Sequence, residues 1–356
     1  MAQETKRLRV LTGDRPTGKL HLGHYIGSLK ARVAFQDKYE CFFIIADLHA
    51  LTTRPKKSDI EQMRENIREM VLDYLAVGID PEKSTIFVQS AVPETYELNL
   101  IFEMLVTLPR LTRLPTIKDM ARAANIDEDK LPFGLVGYPV LQAADILLPR
   151  AHLVPVGRDN LAHVELTRQI ARRFNRYYGE VFPLPEAIIP DVEVLPGIDG
   201  EAKMSKSRGN AILLSDDPET VRQKVMKIKT SPRRPEEPGD PETSIPLLYH
   251  RLFNDDQDEV AELWERYRKG GITDKEIKER LARALNRFLD PIRERRAQYA
   301  QRADMVEEIL VEGTRRMREE ARKTMERVHE AMGMYGVVEI ARKAAEAERP
   351  PSLLSG

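Results

Sequence analysis

Short apolar runs alternate with longer segments of helical apolar spacing through residues 1–215 of the chain. The apolar runs cover residues 8–11, 41–46, 85–88, 153–156 and about 193–195. Runs of this length are typical of buried strands, and helices between successive strands are the usual crossovers of a parallel sheet. The pattern predicts an α/β domain with a Rossmann-type parallel sheet.

The pattern changes after residue 215. We expect a linker at residues 216–246, because its second half, 231–246, is rich in Pro, Glu and Gly. Residues 247–345 have helical spacing almost throughout, which predicts a C-terminal all-helical domain. Residues 346–356 have the composition of a flexible tail.

A turn-rich stretch joins the first predicted strand to the first predicted helix. Residues 13–18 are Gly-Asp-Arg-Pro-Thr-Gly, and helical spacing follows over residues 20–33. Such a loop opens onto the ligand crevice of a parallel sheet, where the helix N-terminus presents free N–H groups to phosphate. His21 and His24 share one face of this helix, and Gly23 permits close approach of a ligand. The two imidazoles can stabilise charge on an α-phosphate; the alternative is a pair of surface or capping histidines.

A second candidate motif, Lys203-Met-Ser-Lys-Ser207, follows a glycine-broken stretch at residues 194–202. On such a loop the ammonium groups of Lys203 and Lys206 can reach the β- and γ-phosphates of a nucleotide as it closes. The alternative is an ordinary solvated loop rich in Lys and Ser. Together the two motifs favour an enzyme that activates a carboxylate with ATP.

Composition narrows the class of protein. The 356 residues carry a net charge of -1, so an RNA contact requires a local basic patch. The one cysteine, Cys41, excludes a disulfide framework and thiolate zinc or iron–sulfur sites, and its apolar neighbours predict a core position. No apolar run is long enough to span a membrane and no signal peptide is evident, so we expect a soluble, cytoplasmic protein.

The two motifs resemble the signature sequences of class I aminoacyl-tRNA synthetases, and residues 12–29 resemble the tryptophan-specific form. The similarity extends through residues 80–81, 138–148, 154–168 and 292–296 and covers most of the chain. It implies a catalytic domain with an inserted connective segment at about 93–150, and an anticodon-binding role for the helical domain. L-tryptophan, ATP and tRNA(Trp) are the implied substrates.

The resemblance also implies which residues act on ATP. His21, His24, Lys203 and Lys206 are the implied catalytic residues. Mg²⁺ is expected with ATP and pyrophosphate, and no protein-bound metal is expected. The implied ATP-binding residues are Gly13, Arg15, Pro16, Thr17, Gly23, His24, Gly157, Arg158, Asp159, Val194, Lys203, Met204, Ser205, Lys206 and Ser207.

A carboxylate among apolar residues is the best guide to the amino-acid substrate. Pro139 suits a first helical turn, which puts Tyr138 at a helix entrance and Gln142 and Asp145 on one face. Asp145 needs a donor unless it is a solvated helix residue. In the resembled enzymes the matching aspartate accepts the indole N–H of tryptophan. The implied tryptophan pocket consists of Leu11, His49, Tyr138, Gln142 and Asp145.

Tyrosine-specific relatives share the Tyr-x-x-x-Gln-x-x-Asp run, so a tyrosyl-tRNA synthetase is the alternative. Leu11 favours tryptophan, because many tyrosine enzymes place a tyrosine there to contact the phenol; the lysine motif and residues 157–168 also favour it. A structural cap is the alternative role for His49.

Several positions depart from the common bacterial pattern and resemble a divergent second bacterial branch. Arg15 and Asn160 stand where glutamines are frequent, and Gln142 stands where methionine is frequent. Met120 replaces a phosphate-contacting lysine, for which Lys118 is the candidate substitute.

The helical domain carries an arginine-rich flank. An apolar stripe runs from Ile277 to Ile292, with Arg280, Arg283 and Arg287 beside it and Arg293, Arg295 and Arg296 beyond it. We expect these arginines to bind tRNA phosphates; the alternative is pairing with glutamates on a solvated face.

The apolar residues of the segment 94–111 predict that the protein forms a homodimer. These residues, Leu98, Ile101, Phe102, Leu105, Val106 and Leu108, are too many for one core-facing side. We therefore expect a homodimer interface here, as in the resembled family, with a helix wedged between sheet and helical domain as the alternative.

Three classes of function remain from the sequence. The first is the tryptophan-specific synthetase. The second is a nucleotidyltransferase that does not use tRNA, against which the lysine motif and the helical domain argue. The third is a synthetase-like paralogue with a binding or regulatory role.

Overall fold

The computed structural model describes residues 7–123, 125–127, 130–189, 194–201, 203–334, 339–340 and 343–344. The predicted tail, 346–356, lies outside the described residues. Five parallel strands form one sheet in the order β3-β2-β1-β4-β5. The strands are β1 (Arg9–Asp14), β2 (Glu40–Ile45), β3 (Ser84–Val88), β4 (Leu153–Pro155) and β5 (Glu186–Ile188).

Helices cover both faces of this sheet. The first nine are α1 (Leu22–His24), α2 (Lys30–Phe35), α3 (Asp47–Leu51), α4 (Lys57–Glu61), α5 (Met63–Val77), α6 (Glu94–Glu103), α7 (Leu108–Thr112), α8 (Pro115–Ala123) and α9 (Phe133–Leu147). The remainder are α10 (Leu161–Tyr178), α11 (Pro218–Met226), α12 (Ile245–Phe253), α13 (Gln257–Lys269), α14 (Asp274–Ala300) and α15 (Ala303–Met332). No helix among the described residues has the length and apolarity that a membrane span requires.

The strand order places a crevice beside β1. The chain leaves β1 toward β2 on one side, while β4 pairs with β1 on the other, Val10 lying opposite Leu153. Ligands of open α/β sheets bind at the carboxyl ends of strands where the order reverses in this way. The predicted α/β fold with a helical C-terminal region is confirmed.

Alternate residues of the central strands enter two separate apolar cores. Val10, Cys41 and Phe43 pack on one face of the sheet, and Leu11 and Phe42 on the other. Cys41 is buried, as predicted. Strands covered on both faces read as continuous apolar runs, which is why the sequence located them well.

The C-terminal helices return to the sheet. Gly313 lets α15 lie directly against β3, since a Cβ there would be 1.9 Å from the carbonyl oxygen of Ile86. Helix α14 packs against α5 and α11. The helical region therefore shares its core with the α/β domain.

Two secondary-structure predictions are wrong. The fifth strand is β5; of the strand expected at about 193–195, residue 193 lies outside the described residues, and Val194 and Leu195 are not in a strand, the carbonyl of Leu195 accepting instead from the N–H of Met204 at 3.0 Å. Pro139 does not begin a helix but lies inside α9, which begins at Phe133. The glycines of residues 133–137 made that stretch resemble a loop, and Tyr138 is consequently not at a helix entrance.

Two other segments differ in detail from the prediction. The helix expected over residues 20–33 begins at Leu22, contains a π turn at Tyr25–Leu29, and continues to Phe35. The expected linker 216–246 contains helix α11, which packs on α14.

Most of the arginines expected to bind RNA have protein partners instead. Arg280 pairs with Glu259, Glu262 and Glu276, and Arg287 lies near Asp255 and Glu259.

Arg293, Arg295 and Arg296 lie where α14 meets the α/β domain. Arg293 donates to the carbonyl of Asp216, Arg295 to the carbonyl of Ala76, and Arg296 to Asp73. Their sequence spacing could not reveal these distant acceptors, so the expectation that these three bind phosphate is not supported.

The apolar segment 94–111 is divided between core and surface. Leu98, Ile101, Phe102 and Leu105 are buried within the protomer, so the expectation that they form an interface is wrong. Their partners are apolar residues such as Phe174 and Phe182, which the sequence separates widely from them. Exposed apolar side chains remain on the outer face of α6 and at the start of α7.

Candidate active site

A cavity of about 270 Å³ opens at the carboxyl ends of β1 and β4. Its walls come from β1, the π turn after α1, α3, α9 and the loop after β4. The lining residues that matter here are Leu11, Gly13, Arg15, His49, Tyr138, Gln142, Asp145, Gly157 and Asn160. All five residues of the expected tryptophan pocket therefore line one cavity. Gly13, Arg15 and Gly157, which are expected to contact ATP, line the same cavity.

Asp145 lies at the deep end of this cavity in a net of donors. Its Oδ2 is 2.8 Å from Nε2 of His49, and the side-chain amide of Gln89 donates to both carboxylate oxygens at 2.9 and 2.8 Å. Burial raises the pKa of Asp145, whereas these hydrogen bonds act in the opposite direction. Asp145 is thus a buried acceptor held in one orientation, not a solvated helix residue.

Gln89 is the residue of this net that sequence reasoning missed. It directly follows β3, is fully buried, and its Oε1 also accepts from the N–H groups of Leu48 and His49 at 3.2 and 3.4 Å. Its place at the carboxyl end of a predicted parallel strand was an available signal.

A second polar chain supports Gln142. Nδ1 of His163 is 2.7 Å from Oε1 of Gln142, and the Thr116 hydroxyl lies against Nε2 of the same ring. Burial lowers the pKa of His163 to about 4. The neutral His163 ring must donate through Nδ1, because the Gln142 oxygen can only accept. Nε2 of the same ring then accepts from the Thr116 hydroxyl. The amide NH2 of Gln142 is left to face the cavity.

A buried ion pair fixes the loop that follows β1. Arg32 donates to Oδ2 of Asp14 at 2.6 Å, and the Tyr74 hydroxyl donates to the same oxygen at 2.7 Å. Burial alone would raise the pKa of Asp14, but Arg32 and Tyr74 bring it down to about 2. Gly13 cannot carry a side chain here, since a Cβ would lie 1.9 Å from the carbonyl oxygen of Ile44. Bare backbone therefore lines the cavity at Gly13.

His21 and His24 stack at the start of α1, with ring centroids 3.8 Å apart. The N–H of His21 donates to Nδ1 of His24 at 3.2 Å. Burial lowers the pKa of His21 to about 3 and that of His24 to about 4, so both rings are neutral near pH 7. Because Nδ1 of His24 accepts, its proton is on Nε2, where it can be donated to a ligand. Gly23 leaves the space they need: a Cβ there would be 3.0 Å from the His21 ring.

The lysine motif lies directly against the histidine motif. His21 and Leu213 form an antiparallel bridge, flanked by hydrogen bonds of 3.0 Å from Leu22 to Ile212 and from Leu214 to Leu20. The ammonium of Lys206 donates to the carbonyl oxygens of Thr17 and Lys19, both at 2.6 Å. The two motifs, far apart in the sequence, thus form one site.

Inside the lysine loop the chain is held by its own side chains. Met204 is buried, the N–H of Ser205 donates to Oδ1 of Asn210 at 2.7 Å, and the hydroxyls of Ser205 and Ser207 are 3.0 Å apart. Lys203 is exposed.

A second cavity, of about 430 Å³, adjoins the first through Arg15. Pro16, Thr17, Arg54, Asn66 and Met120 are among its lining residues. Met120, which stands where a phosphate-contacting lysine is often found, therefore lines a cavity that Arg15 and Arg54 also line.

Five of the fifteen expected ATP contacts line one of the two cavities, namely Gly13, Arg15, Pro16, Thr17 and Gly157. Gly23, His24 and residues 203–207 lie outside both linings, in the histidine and lysine motifs, and Arg158, Asp159 and Val194 also lie outside them. Arg158 and Asp159 lie in a short helical turn with exposed side chains, and Val194 is 63% exposed. Among the residues that the structure describes, no cluster of His, Cys, Asp or Glu has the arrangement of a metal site.

Comparisons with known proteins show which proteins this chain is similar to. A sequence profile of the family described as “tRNA synthetases class I (W and Y)” matches residues 3–290. The tryptophan–tRNA ligase of Treponema pallidum is 61% identical over 329 residues, covering 92% of this chain and 97% of the relative. That of Chlamydia caviae is 53% identical over 331 residues, covering 92% and 96%. A crystal structure of the Campylobacter jejuni tryptophanyl-tRNA synthetase, complexed with ADP and tryptophan, superposes with a TM-score of 0.82 at 35% identity, covering 92% of this chain and all of the other.

Proposed function

This chain belongs to the class I tRNA synthetases of the tryptophan and tyrosine family, and we propose that the cavity at β1 and β4 is where it forms tryptophanyl-adenylate. Its function is the activation of L-tryptophan with ATP and the charging of tRNA(Trp). The tyrosine-specific alternative is not favoured, since relatives that share 40–61% identity over most of the chain are tryptophan enzymes.

The chemistry follows from the arrangement of donors. The tryptophan carboxylate attacks the α-phosphorus of ATP, an adenylate forms, and pyrophosphate leaves. A ribose hydroxyl of the terminal adenosine of the tRNA then attacks the acyl carbon, and AMP leaves. Nε2 of His24 donates to the α-phosphate as its charge develops, and Lys203 and Lys206 stabilise the leaving pyrophosphate. In this proposal Lys206 keeps its hydrogen bond to the carbonyl of Lys19 and exchanges its contacts with Thr17 for phosphate oxygens, since an ammonium has three N–H donors. Mg²⁺ enters with ATP and neutralises its phosphates.

The residues on the amino-acid side of the cavity recognise the indole ring of tryptophan. We assign the indole N–H to Asp145, which already has both oxygens oriented by His49 and Gln89. Leu11 and Tyr138 form the walls, and the amide of Gln142 faces the substrate. A buried acceptor of this kind excludes phenylalanine, because that substrate would leave the carboxylate unpaired.

One observation carries this assignment: all five expected tryptophan contacts line the same cavity as Gly13, Arg15 and Gly157. The test is ATP–pyrophosphate exchange dependent on tryptophan, tyrosine or phenylalanine, followed by charging of tRNA(Trp). Exchange that is driven by tyrosine, or no exchange with any of the three, would contradict it.

We also propose that the protein is a homodimer. Tyr96 and Leu100 lie on the outer face of α6, Met104 directly follows this helix and Leu108 begins α7; their exposed fractions are 46, 54, 73 and 59% in the order Tyr96, Leu100, Met104, Leu108. A contiguous apolar stripe of this kind is unusual on a monomer, and a two-fold contact covers the same stripe on both subunits.

A further inference from the structure

One peptide group connects the lysine motif with the interior of the protein. The carbonyl oxygen of Lys19 accepts a hydrogen bond from Nζ of Lys206 at 2.6 Å. The N–H of Leu20 donates to Oδ2 of Asp73, also at 2.6 Å. That carbonyl and that N–H belong to the same planar peptide unit, so its two ends are fixed by two side chains.

Asp73 is in turn held by the C-terminal helical region. It lies on α5 and is fully buried, and Nε of Arg296, on α14, donates to its Oδ1 at 2.7 Å. Nη2 of the same guanidinium donates to Glu69 at 2.6 Å. A buried carboxylate needs such a partner to remain charged. The pairing of α14 with α5 thus determines the charge that faces the Leu20 N–H.

The charge on Asp73 strengthens the hydrogen bond between the ammonium of Lys206 and the carbonyl oxygen of Lys19. A carboxylate that accepts from the N–H of a peptide polarises the group, which makes its carbonyl oxygen a better acceptor for an ammonium. Because the peptide is planar and held at both ends, the same contact fixes where that oxygen lies. The ammonium of Lys206 also binds the Thr17 carbonyl, in the loop expected at ATP.

We propose that Asp73 and Arg296 are positioning residues for the reaction: through the Lys19–Leu20 peptide they hold Lys206 where it meets the phosphates of ATP. The proposal rests on the proposed function, since it assigns the pair to adenylate formation. Neither residue lines either cavity of the site, so we expect their effect to pass through Lys206.

The test is a double-mutant cycle on the single-turnover rate of tryptophanyl-adenylate formation. Asp73→Asn keeps the shape and an acceptor for the Leu20 N–H but removes the charge. We expect it to slow the reaction about tenfold, the typical value of one hydrogen bond to a charged group. The KM for tryptophan should not change. In a Lys206→Ala background the same substitution should change the rate less than about twofold, because the group it positions is gone.

A merely structural role predicts a different result. Asp73→Asn would then slow Lys206→Ala as much as it slows the wild type, and this additivity would overturn the proposal. An unchanged or faster rate in the single variant would overturn it as well. If the wild type shows no tryptophan-dependent exchange, the proposed function itself fails, which distinguishes the two failures.

Two further variants keep the test decisive if Asp73→Asn does not fold. Arg296→Lys retains the positive charge and should retain more of the rate than Arg296→Met; equal rates would contradict the proposal. Arg295→Gln is the matched control, because Arg295 joins the same two helices by donating to the Ala76 carbonyl at 2.6 Å. We expect it to change the melting temperature without changing the rate of adenylate formation.

Discussion

Nε2 of His49 lies 2.8 Å from Oδ2 of Asp145, and neither side chain exposes more than 4% of its surface. Nδ1 of His49 is also buried and has no hydrogen-bond partner among the described residues. The contact joins α3, which follows β2, to α9. It keeps the carboxylate accessible from the cavity while fixing its orientation, which is the arrangement that a selective buried acceptor requires.

Gln89 should matter for tryptophan binding although it is behind the carboxylate. Gln89→Met removes the two hydrogen bonds from the Gln89 amide to Asp145 and the acceptor that Gln89 offers to the backbone N–H groups of Leu48 and His49. We expect the KM for tryptophan to rise about tenfold, with a smaller change in kcat. Exchange kinetics measure this, with Gln169→Met at a surface glutamine as the control. An unchanged KM would show that the Gln89 amide does not orient Asp145.

Lys206→Ala should slow adenylate formation by about a hundredfold, because a donor to the leaving group acts in the transition state. Binding of tryptophan in the absence of ATP should stay the same. Stopped-flow single turnovers and equilibrium titration measure the two quantities. Lys275→Ala, at an exposed lysine of α14, is the control for loss of one positive charge. A normal single-turnover rate would remove Lys206 from the mechanism.

Stability should fall between pH 7 and pH 5. Burial holds the pKa of His163 at about 4, below the ordinary value of 6.5. In this window the unfolded chain binds a proton that the folded protein does not, so acid favours unfolding. Urea unfolding at the two pH values should show a smaller loss of stability in His163→Gln than in the wild type. Equal losses would mean that this ring takes up its proton in the folded state.

The exposed stripe on α6 predicts the oligomeric state. Sedimentation of the wild type at micromolar concentration should give a dimer, and Met104→Glu should shift it to the monomer, because a charge cannot be buried in an apolar contact without a partner. Val311→Glu adds the same charge at an exposed apolar residue of α15, outside the stripe, and should leave the dimer intact. A monomeric wild type would rule out the interface.

The sequence predicted the parts of this site that are local. The histidine motif follows a strand and a turn within a few residues, and the lysine motif is continuous, so residue spacing singled out both as candidates and the family resemblance implied their roles. The central strands were located because burial on both faces gives them apolar runs. Asp145 was recognised because a lone carboxylate among apolar residues needs a donor.

The sequence did not reveal the partners of these residues, because the partners are distant along the chain. Gln89 is 56 positions from Asp145, and Arg296 is 223 positions from Asp73. Only the folded chain shows that Arg296 meets a carboxylate instead of RNA, or that Phe102 lies in the protomer's own core. Strand β5 was missed because three paired residues between prolines leave almost no periodic signal.

The most direct test of the central claim compares tryptophan with 3-benzothienylalanine, which has sulfur in place of the indole N–H. We expect the wild type to prefer tryptophan by tenfold to a hundredfold in kcat/KM for ATP–pyrophosphate exchange, on the order of one hydrogen bond to a charged group. Asp145→Asn should lower kcat/KM for tryptophan and bring the kcat/KM values of the two substrates close together. A wild type that uses both equally, or an Asp145→Asn variant that keeps the full preference, would contradict the assignment of Asp145 as the group that recognises tryptophan.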